Sequence, residues 1–237
     1  MAIANMVMLT TLLLAESVMA AKDIPQDAKH WHLAKDDHGI QVYLSDVPGS
    51  NYEAFQGRAT LNTSAAAILA VMQDPAACTA WVHQCREARA LEQTTDNVSY
   101  HYGVNDFPWP ADDRDYIIRI TNAWDDAEKQ LHIWLDAAPE KLPRTRFVRI
   151  TEMQIHYILK PLSKEQTEII WTQHTEPGGF IPSWMVNMLL VDIPFKSLDK
   201  LEATAQQEKY RHALFLYDNS GHIMGISNPS MNVTPAP

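Results

Sequence analysis

The sequence predicts an α+β domain built from one antiparallel sheet and one long C-terminal helix. Strand-like segments follow one another between residues 86 and 175. The connections Asp-Asp-Ala-Glu and Ser-Lys-Glu-Gln are too short to join parallel strands. Between residues 183 and 211, apolar side chains recur at steps of three and four, the spacing of one helical face. We expect about six to nine strands, with small helices inserted early.

The composition is that of one globular domain with a real core. The chain has 237 residues, of which 46% are hydrophobic and 20% are charged. Its 29 acidic residues exceed its 19 basic residues, the formal net charge is -10, and no run of Lys or Arg occurs. Nucleic acid is therefore not an expected partner, because its phosphates require a basic surface.

Residues 1–20 resemble a secretory signal peptide. An apolar run extends from Met6 to Ala15, and Val18-Met19-Ala20 offers small residues where a signal peptidase cleaves, ahead of Ala21. The run is too short to span a bilayer. Cleavage predicts an exported protein, periplasmic or extracellular. Because no Lys or Arg precedes the run, a misassigned start codon and a retained lipid-surface anchor stay open as alternatives.

Two strands and two short helices are predicted before the main strand series. The strands lie in GIQVYLSDV, residues 39–47, and NYEAFQGRATLN, residues 51–62. Ser64 is placed to cap a helix over residues 65–74, and a second helix runs from Pro75 through Trp81. The remaining strands are expected at residues 86–92, 98–104, 114–124, 130–137, 146–159 and 168–175.

Cys78 and Cys85 are the only cysteines. On one continuous helix, a spacing of seven would separate their Cα atoms by about 10 Å, beyond the roughly 7 Å limit for a disulfide. They can bond only if the helix ends between them, for example at a turn near His83. A disulfide and two buried thiols therefore both stay open.

The last long element is predicted from about Ser183 to about Arg211. Gly178 and Gly179 can take backbone angles closed to other residues, and Pro182 suits a first helical turn. We expect a kink at Pro194. The stripe predicted to face the sheet consists of Trp184, Met188, Val191, Phe195, Leu198, Leu201 and Ala205.

After His212 the pattern changes. Residues 213–226, ALFLYDNSGHIMGI, are expected to form a small hairpin about Asn219-Ser220-Gly221, with a loose end beyond Ser227. The predicted organisation is thus a signal peptide at 1–20, a main domain at 21–212 and a tail at 213–237.

Alternation along three strands gives each of them a face that could line a hollow. The inward candidates are Tyr116, Ile118 and Ile120, then Met153, Ile155, Tyr157 and Leu159, and finally Ile169, Trp171 and Gln173. Seven Trp and ten Met would suit an irregular apolar pocket. Side-chain types alone, however, favour an ordinary packed core.

The segment PWPADDRDY is predicted to be a structural clamp. Arg114 stands beside Asp115 and two further Asp residues, so that charge-assisted hydrogen bonds can hold the loop against the next strand. Contact with a ligand is the alternative role.

Several motifs occur in the order found in a known family. These motifs are GIQVY, NYEAFQGRA, a tryptophan helix leading into CREARALE, PWPADDRDYIIRI, and EPGGFIPSWMVN ahead of a Pro-interrupted helix. Together they resemble the START domain, the steroidogenic-acute-regulatory-protein-related lipid-transfer family, in its bacterial secreted form. The likeness covers about residues 30 to 210. It implies a helix-grip fold, in which a curved antiparallel sheet wraps around the C-terminal helix and encloses one lipid in an apolar cavity.

The resemblance implies a carrier that moves one lipid between membranes, with the C-terminal helix and nearby loops as gate. A lipid and a transient membrane surface are the expected partners of a monomer without a cofactor. Some sterol-binding members carry an acidic residue and an arginine in the cavity, but the corresponding positions here fall near His101 and Ile120, so cholesterol is not carried over. Candidates for the cavity or its gate are Tyr102, Tyr116, Ile118, Ile120, Trp134, Met153, Ile155, Tyr157, Trp171, Trp184, Met188, Val191 and Phe195.

The sequence contains no catalytic or metal-binding constellation. Ser197 and Lys200 match a Ser-x-x-Lys spacing without its companion motifs, and no His-Glu-x-x-His occurs. Two alternatives to carriage stay open: a ligand-sensing module, and a cyclase, hydrolase or hydroxylase-like enzyme in the same cavity. The side chains that could supply an acid or base to such an enzyme are His101, His156, His174 and Tyr157.

Overall fold

The computed structural model describes residues 24–25, 27–95, 98–219 and 223–227. The predicted signal peptide lies outside these residues. Ten strands form the main sheet: β1 His32–Asp37, β2 Ile40–Ser45, β3 Ala54–Leu61, β4 Cys85–Thr95, β5 Val98–Asn105, β6 Arg114–Asp125, β7 Gln130–Ala137, β8 Val148–Arg149, β9 Glu152–Pro161 and β10 Thr167–Glu176. Three helices accompany them: α1 Ala65–Gln73, α2 Cys78–Trp81 and α3 Ser183–Ala205.

The main sheet is curved and almost entirely antiparallel, as predicted. Its strand order is β1-β2-β3-β10-β9-β7-β6-β5-β4, and β8 pairs with β6 in parallel. The α+β helix-grip architecture is therefore confirmed. Among the described residues, no helix is long and apolar enough to cross a bilayer.

Two strand assignments differ from the sequence prediction. β1 was not predicted because its residues are mostly exposed, so its sequence carries no apolar alternation. The segment 146–159, predicted as one strand, is divided into β8 and β9. The division arises because the segment pairs first with β6 and, a few residues later, with β7.

Helix α1 forms where the sequence placed it. The Ser64 Oγ accepts a hydrogen bond from the Ala67 amide at 3.1 Å and so caps the first turn. All residues from Ala65 to Val71 are buried, which makes α1 part of the core rather than a surface helix.

The disulfide between Cys78 and Cys85 is formed, which decides between the two possibilities left open by the sequence. Helix α2 ends at Trp81, and Gln84 adopts a positive φ of 70° just before β4 begins. This turn brings the two Cα atoms to 5.9 Å. The bond joins the first residue of α2 to the first residue of the edge strand β4.

Helix α3 is shorter than predicted and turned differently about its axis. It ends at Ala205, and residues 206–213 continue as tight turns. In its first half Met185 and Leu189 are buried, whereas Trp184 is 59% exposed and Met188 is 40% exposed. The prediction that Trp184 and Met188 face the sheet was therefore wrong. Almost every position from 184 to 191 is apolar, so the spacing fits more than one helical phase.

In the second half of α3, the predicted residues Leu198, Leu201 and Ala205 are buried as expected. The helix approaches β3 at Gly57, where an added Cβ would lie 3.0 Å from Leu198 Cδ1 and from Pro194 Cβ. A residue without a side chain is needed for this close packing.

Arg114 forms a clamp, but Asp115 is not its partner. The Arg114 guanidinium donates to the carbonyl oxygens of Asp112, of Gly178 at 3.0 Å and of Phe180 at 3.4 Å, so it ties β6 to the segment that enters α3. Successive side chains of a strand point to opposite faces. Asp115 therefore lies on the other face of β6, and the expected pairing of Arg114 with carboxylates is replaced by pairing with carbonyls.

Asp115 instead forms a buried two-point ion pair with Arg149. Its carboxylate accepts from Arg149 Nε at 2.8 Å and Nη2 at 2.9 Å, and from Thr145 Oγ1 at 2.7 Å. Burial alone would raise the pKa of Asp115, but these hydrogen bonds outweigh it and hold that pKa below its usual range.

Residues after the turns at 206–213 form a separate hairpin. Strands β11 Leu214–Tyr217 and β12 Ile223–Ser227 pair antiparallel, where the sequence analysis placed a hairpin, and the turn residues 220–222 lie outside the described residues. The Phe215 ring packs against Trp124 with centroids 6.1 Å apart. The hairpin therefore rests on the far end of β6 from Arg114.

Candidate functional site

A cavity of about 780 Å³ lies between the concave face of the sheet and the early helices. Its wall is formed by strands β4, β5, β6, β7, β9 and β10, by the α1–α2 region, by Ile193 of α3 and by the C-terminal hairpin. This volume falls within the range of about 300 to 1,000 Å³ that small-molecule pockets occupy.

Most of the strand residues predicted to face a hollow do line this cavity. They are Tyr116, Ile118 and Ile120 of β6, Met153, Ile155 and Tyr157 of β9, and Trp171 of β10. Tyr102 also reaches the wall, but its ring packs with Val104, Ile117 and Ala138 in a separate cluster. Period-two alternation thus locates the inner face of β6, β9 and β10.

Trp134 was predicted to line the cavity, and this was wrong. Its ring stacks on His132 and His156 with centroids 5.3 and 5.1 Å apart, on the outer face of the sheet. The inward residues of β7 are Ile133 and Leu135. β7 carries bulky apolar residues at adjacent positions, so its alternation does not indicate which face is inner.

The predicted α3 residues Trp184, Met188, Val191 and Phe195 do not line the large cavity, to which the helix contributes Ile193. Phe195 packs towards the sheet edge, with the Lys35 Nζ 3.4 Å from its ring centroid. The first turns of α3 cover a smaller cavity of about 80 Å³, lined in part by Val186, Leu189, Leu190 and Ile193. The two cavities share the lining residues Asn105, Met153, Gln173 and Ile193.

Sequence reasoning missed the lining residues of α1, α2 and β4 and two further groups. Asn105 and Asn122 belong to the first group, and Asn122 follows Ile120 by two positions, so the alternation already marked it. The second group comes from the hairpin: Leu216, Met224, Gly225 and Ile226. The hairpin lies beyond the segment that resembles the family, so no sequence signal connected it with the cavity.

Burial favours the neutral forms of Tyr116, Tyr157 and His101, three titratable residues of the cavity wall. Burial raises the pKa of Tyr116 to about 12 and raises that of Tyr157 well above its usual value. Burial also lowers the pKa of His101. The two phenols are therefore neutral at ordinary pH, and burial favours the neutral imidazole of His101.

Of the side chains considered as acids or bases, two do not face the cavity. His156 lies on the outer face, where burial and neighbouring His132 lower its pKa to about 4. His174 Nε2 lies 3.1 Å from Ser50 Oγ, whose hydroxyl also donates to Glu176. Among the described residues, no hydrogen bond reaches the His101 or Tyr157 side chain, and no three His, Cys, Asp or Glu side chains gather as a metal site.

Comparisons with known proteins agree with this fold. A family model described as START domain matches residues 13–211. The chain belongs to the START domain family.

Relatives of this START domain include an uncharacterized protein, PA1579, of Pseudomonas aeruginosa, which is 34% identical over 76% of this chain and 89% of its own. The phosphatidylcholine transfer protein of Mus musculus is 24% identical over 66% of this chain and 75% of its own. The crystal structure of a STAR-related lipid transfer protein fragment of Xanthomonas axonopodis superimposes with a TM-score of 0.69 at 32% identity, over 75% of this chain and 99% of that one.

Proposed function

We propose that this START domain encloses one lipid in its large cavity and carries it between membranes without chemically changing it. The observation that carries this proposal is the cavity of about 780 Å³, whose wall consists mostly of apolar residues from the inner face of the sheet, the early helices and the C-terminal hairpin. Two relatives, a phosphatidylcholine transfer protein and a STAR-related lipid transfer protein, support transfer as the activity.

Burial of hydrocarbon supplies the binding energy. Each enclosed methylene contributes about 0.8 kcal/mol, so a dozen contribute about 10 kcal/mol, enough for a dissociation constant well below micromolar. Release into water would require the same energy, which makes it slow. We therefore infer that loading and unloading occur at a membrane surface, where the lipid never becomes fully hydrated.

The entrance to α3 is the proposed gate. The first turns of α3 cover the smaller cavity, which adjoins the large one through shared wall residues. Gly178 and Gly179, both with φ of 63°, form the connection into this helix. Displacement of these turns would join the two cavities and open a path for the lipid.

An exposed apolar surface beside this gate is the proposed membrane contact. It consists of Trp109, Phe180, Trp184 and Met188, of which Trp109 is 90% exposed and Phe180 is 79% exposed. Aromatic side chains favour the membrane interface, where an apolar body and a polar edge are both accommodated. The loop carrying Trp109 and the segment carrying Phe180 are tied together by Arg114.

We propose export for the mature chain, which we take to act as a monomer. The signal-like residues 1–20 support this, and so does the disulfide between Cys78 and Cys85, since disulfides persist in the periplasm and outside the cell. Two relatives named as lipid transfer proteins support carriage without catalysis.

A vesicle transfer assay tests the proposal. Donor vesicles made from tritium-labelled lipid of the expressing cells are mixed with unlabelled acceptors, and wild-type protein should accelerate movement of label. Replacing Trp184 and Met188 by Ser should slow transfer while leaving the lipid already bound unchanged. Leu162→Ser is the matched control, because Leu162 is 49% exposed in the turn between β9 and β10. Failure of wild-type protein to retain or move any lipid would refute carriage.

A further inference from the structure

The wall of the large cavity is almost uncharged. Among the described residues that line it, only Asp74 and Glu92 carry a formal charge, and both are acidic. Each already pairs with a lysine outside the wall, Asp74 with Lys209 and Glu92 with Lys141 at 3.3 Å. No Lys or Arg of the described chain lines the cavity. A lipid phosphate enclosed here would therefore lose its hydration without gaining a cation.

Tyr157 presents an unsatisfied hydroxyl to this interior. Its residue is only 5% exposed, it lies on the inward face of β9, and its ring packs against Trp171 with centroids 5.1 Å apart. No hydrogen bond among the described residues reaches its hydroxyl. Buried tyrosine hydroxyls ordinarily find a partner, because leaving one unsatisfied is unfavourable. A donor without a protein partner in a ligand cavity is available to an acceptor atom of the ligand.

Further polar groups are placed around the same interior. Tyr116 lines the cavity from β6, and its phenol adds to the upward shift in the pKa of Tyr157, so the two rings share one environment. Strand pairing places Tyr157 opposite Ile133 and Ile133 opposite Asn122. The Asn122 Oδ1 is buried and has no partner among the described residues. These groups suit a small, neutral, oxygen-containing function rather than a bare hydrocarbon.

We propose that the cavity selects an uncharged lipid bearing a hydroxyl or carbonyl oxygen, which accepts a hydrogen bond from Tyr157, over a lipid with a phosphate headgroup. This inference rests on the proposed function. The phenol is neutral and can only donate its proton to such an oxygen or accept from a lipid hydroxyl, and both interactions are unavailable to an alkane. The apolar wall contributes affinity, and Tyr157 contributes selectivity.

A competition among matched lipids tests the selectivity. Hexadecane, 1-hexadecanol and hexadecanoyl-lysophosphatidylcholine share one sixteen-carbon chain and differ only at its end. Each is offered at equal mole fraction in the same vesicles, and the lipid recovered with the full protein is counted by mass spectrometry. We expect 1-hexadecanol to be enriched over both of the others. Tyr157→Phe should reduce its enrichment over hexadecane by about two- to tenfold, the worth of one hydrogen bond.

Tyr43→Phe is the control, since the Tyr43 hydroxyl donates to Gln41 at 3.0 Å outside the cavity. It should leave the enrichment unchanged. Recovery of lysophosphatidylcholine at or above the level of 1-hexadecanol would overturn the inference while leaving carriage intact, and so would an enrichment insensitive to Tyr157→Phe. Recovery of none of the three lipids would overturn carriage as well.

A spectroscopic measurement reports the hydrogen bond independently of affinity. A long-chain ketone labelled with ¹³C at its carbonyl is bound to wild-type protein, and its infrared carbonyl stretch is recorded. We expect a shift to lower frequency relative to the ketone in hexadecane, and loss of this shift in Tyr157→Phe. An unshifted carbonyl in the wild-type protein would contradict the assignment of Tyr157 as donor.

Discussion

Replacing Arg149 by Met tests how the outer face of β6 is stabilised. The Asp115 and Arg149 side chains are 0% and 2% exposed, and they share two hydrogen bonds. Arg149 also donates to the carbonyl oxygens of Pro139 at 3.0 Å, Leu142 at 3.2 Å and Pro143 at 3.0 Å. Arg149→Met keeps much of the side-chain volume but removes every one of these donors.

The expected loss follows from the group left behind. Removing one partner of a buried ion pair leaves an uncompensated charge, which costs about 3 to 5 kcal/mol. Thr145 still donates to Asp115, so a value of about 4 kcal/mol is reasonable for the loss in free energy of unfolding. In a domain of this size, the melting temperature should fall by roughly 10 °C.

Urea unfolding followed by far-ultraviolet circular dichroism measures this loss. Lys196→Met is the control, because Lys196 pairs with Asp192 at 2.7 Å on the surface of α3 and should cost no more than about 0.5 kcal/mol. The double variant Asp115→Leu, Arg149→Met should be more stable than Arg149→Met alone, since it no longer buries a lone carboxylate. A loss in Arg149→Met as small as that of the control would refute the reasoning.

Three further outcomes are expected. Burial alone would raise the pKa values of Asp74 and Asp115, but hydrogen bonds lower both. The contribution of the two carboxylates to folding stability is therefore complete above about pH 4 and is lost as pH falls through the lower folded-state pKa. A urea midpoint that stays constant from pH 7 to pH 3 would contradict this. Removal of residues 214–237 should accelerate release of bound lipid in a vesicle dilution assay, because the hairpin forms part of the cavity wall; unchanged release would show that the hairpin does not retain lipid. Trp171→Leu should lower the amount of lipid recovered with the protein, whereas Trp134→Leu on the outer face should not; equal effects would contradict the assignment of the two faces.

Alternation explains why much of the cavity could be predicted from sequence. Along β6, Tyr116, Ile118 and Ile120 stand at every second position, and a strand sends such residues to one face. The same rule placed Met153 and Trp171 correctly. What alternation cannot decide is whether that face encloses space or a packed core, and here the family resemblance supplied the distinction.

Two of the failed predictions, those for Trp184 and Trp134, share one physical cause, which is apolar residues at consecutive positions. In the first half of α3, Trp184 and Met185 are both apolar, and packing against Phe107 and Ile181 selects Met185 as the buried one. Trp134 of β7 was misplaced for a similar reason, since its neighbours Ile133 and Leu135 are also apolar. Tertiary contacts choose between such alternatives, and they are not encoded in local spacing.

The two faces of β6 connect the stability of the domain with its capacity to bind. Asp115 points outward to Arg149, and Tyr116 points inward to the cavity. A slip of β6 by one residue would exchange the two faces. It would separate Asp115 from Arg149 and turn the charged side chains of Asp115 and Arg119 towards the cavity, where burial of charge is unfavourable. The buried ion pair therefore disfavours register errors that would turn charged side chains of β6 towards the cavity.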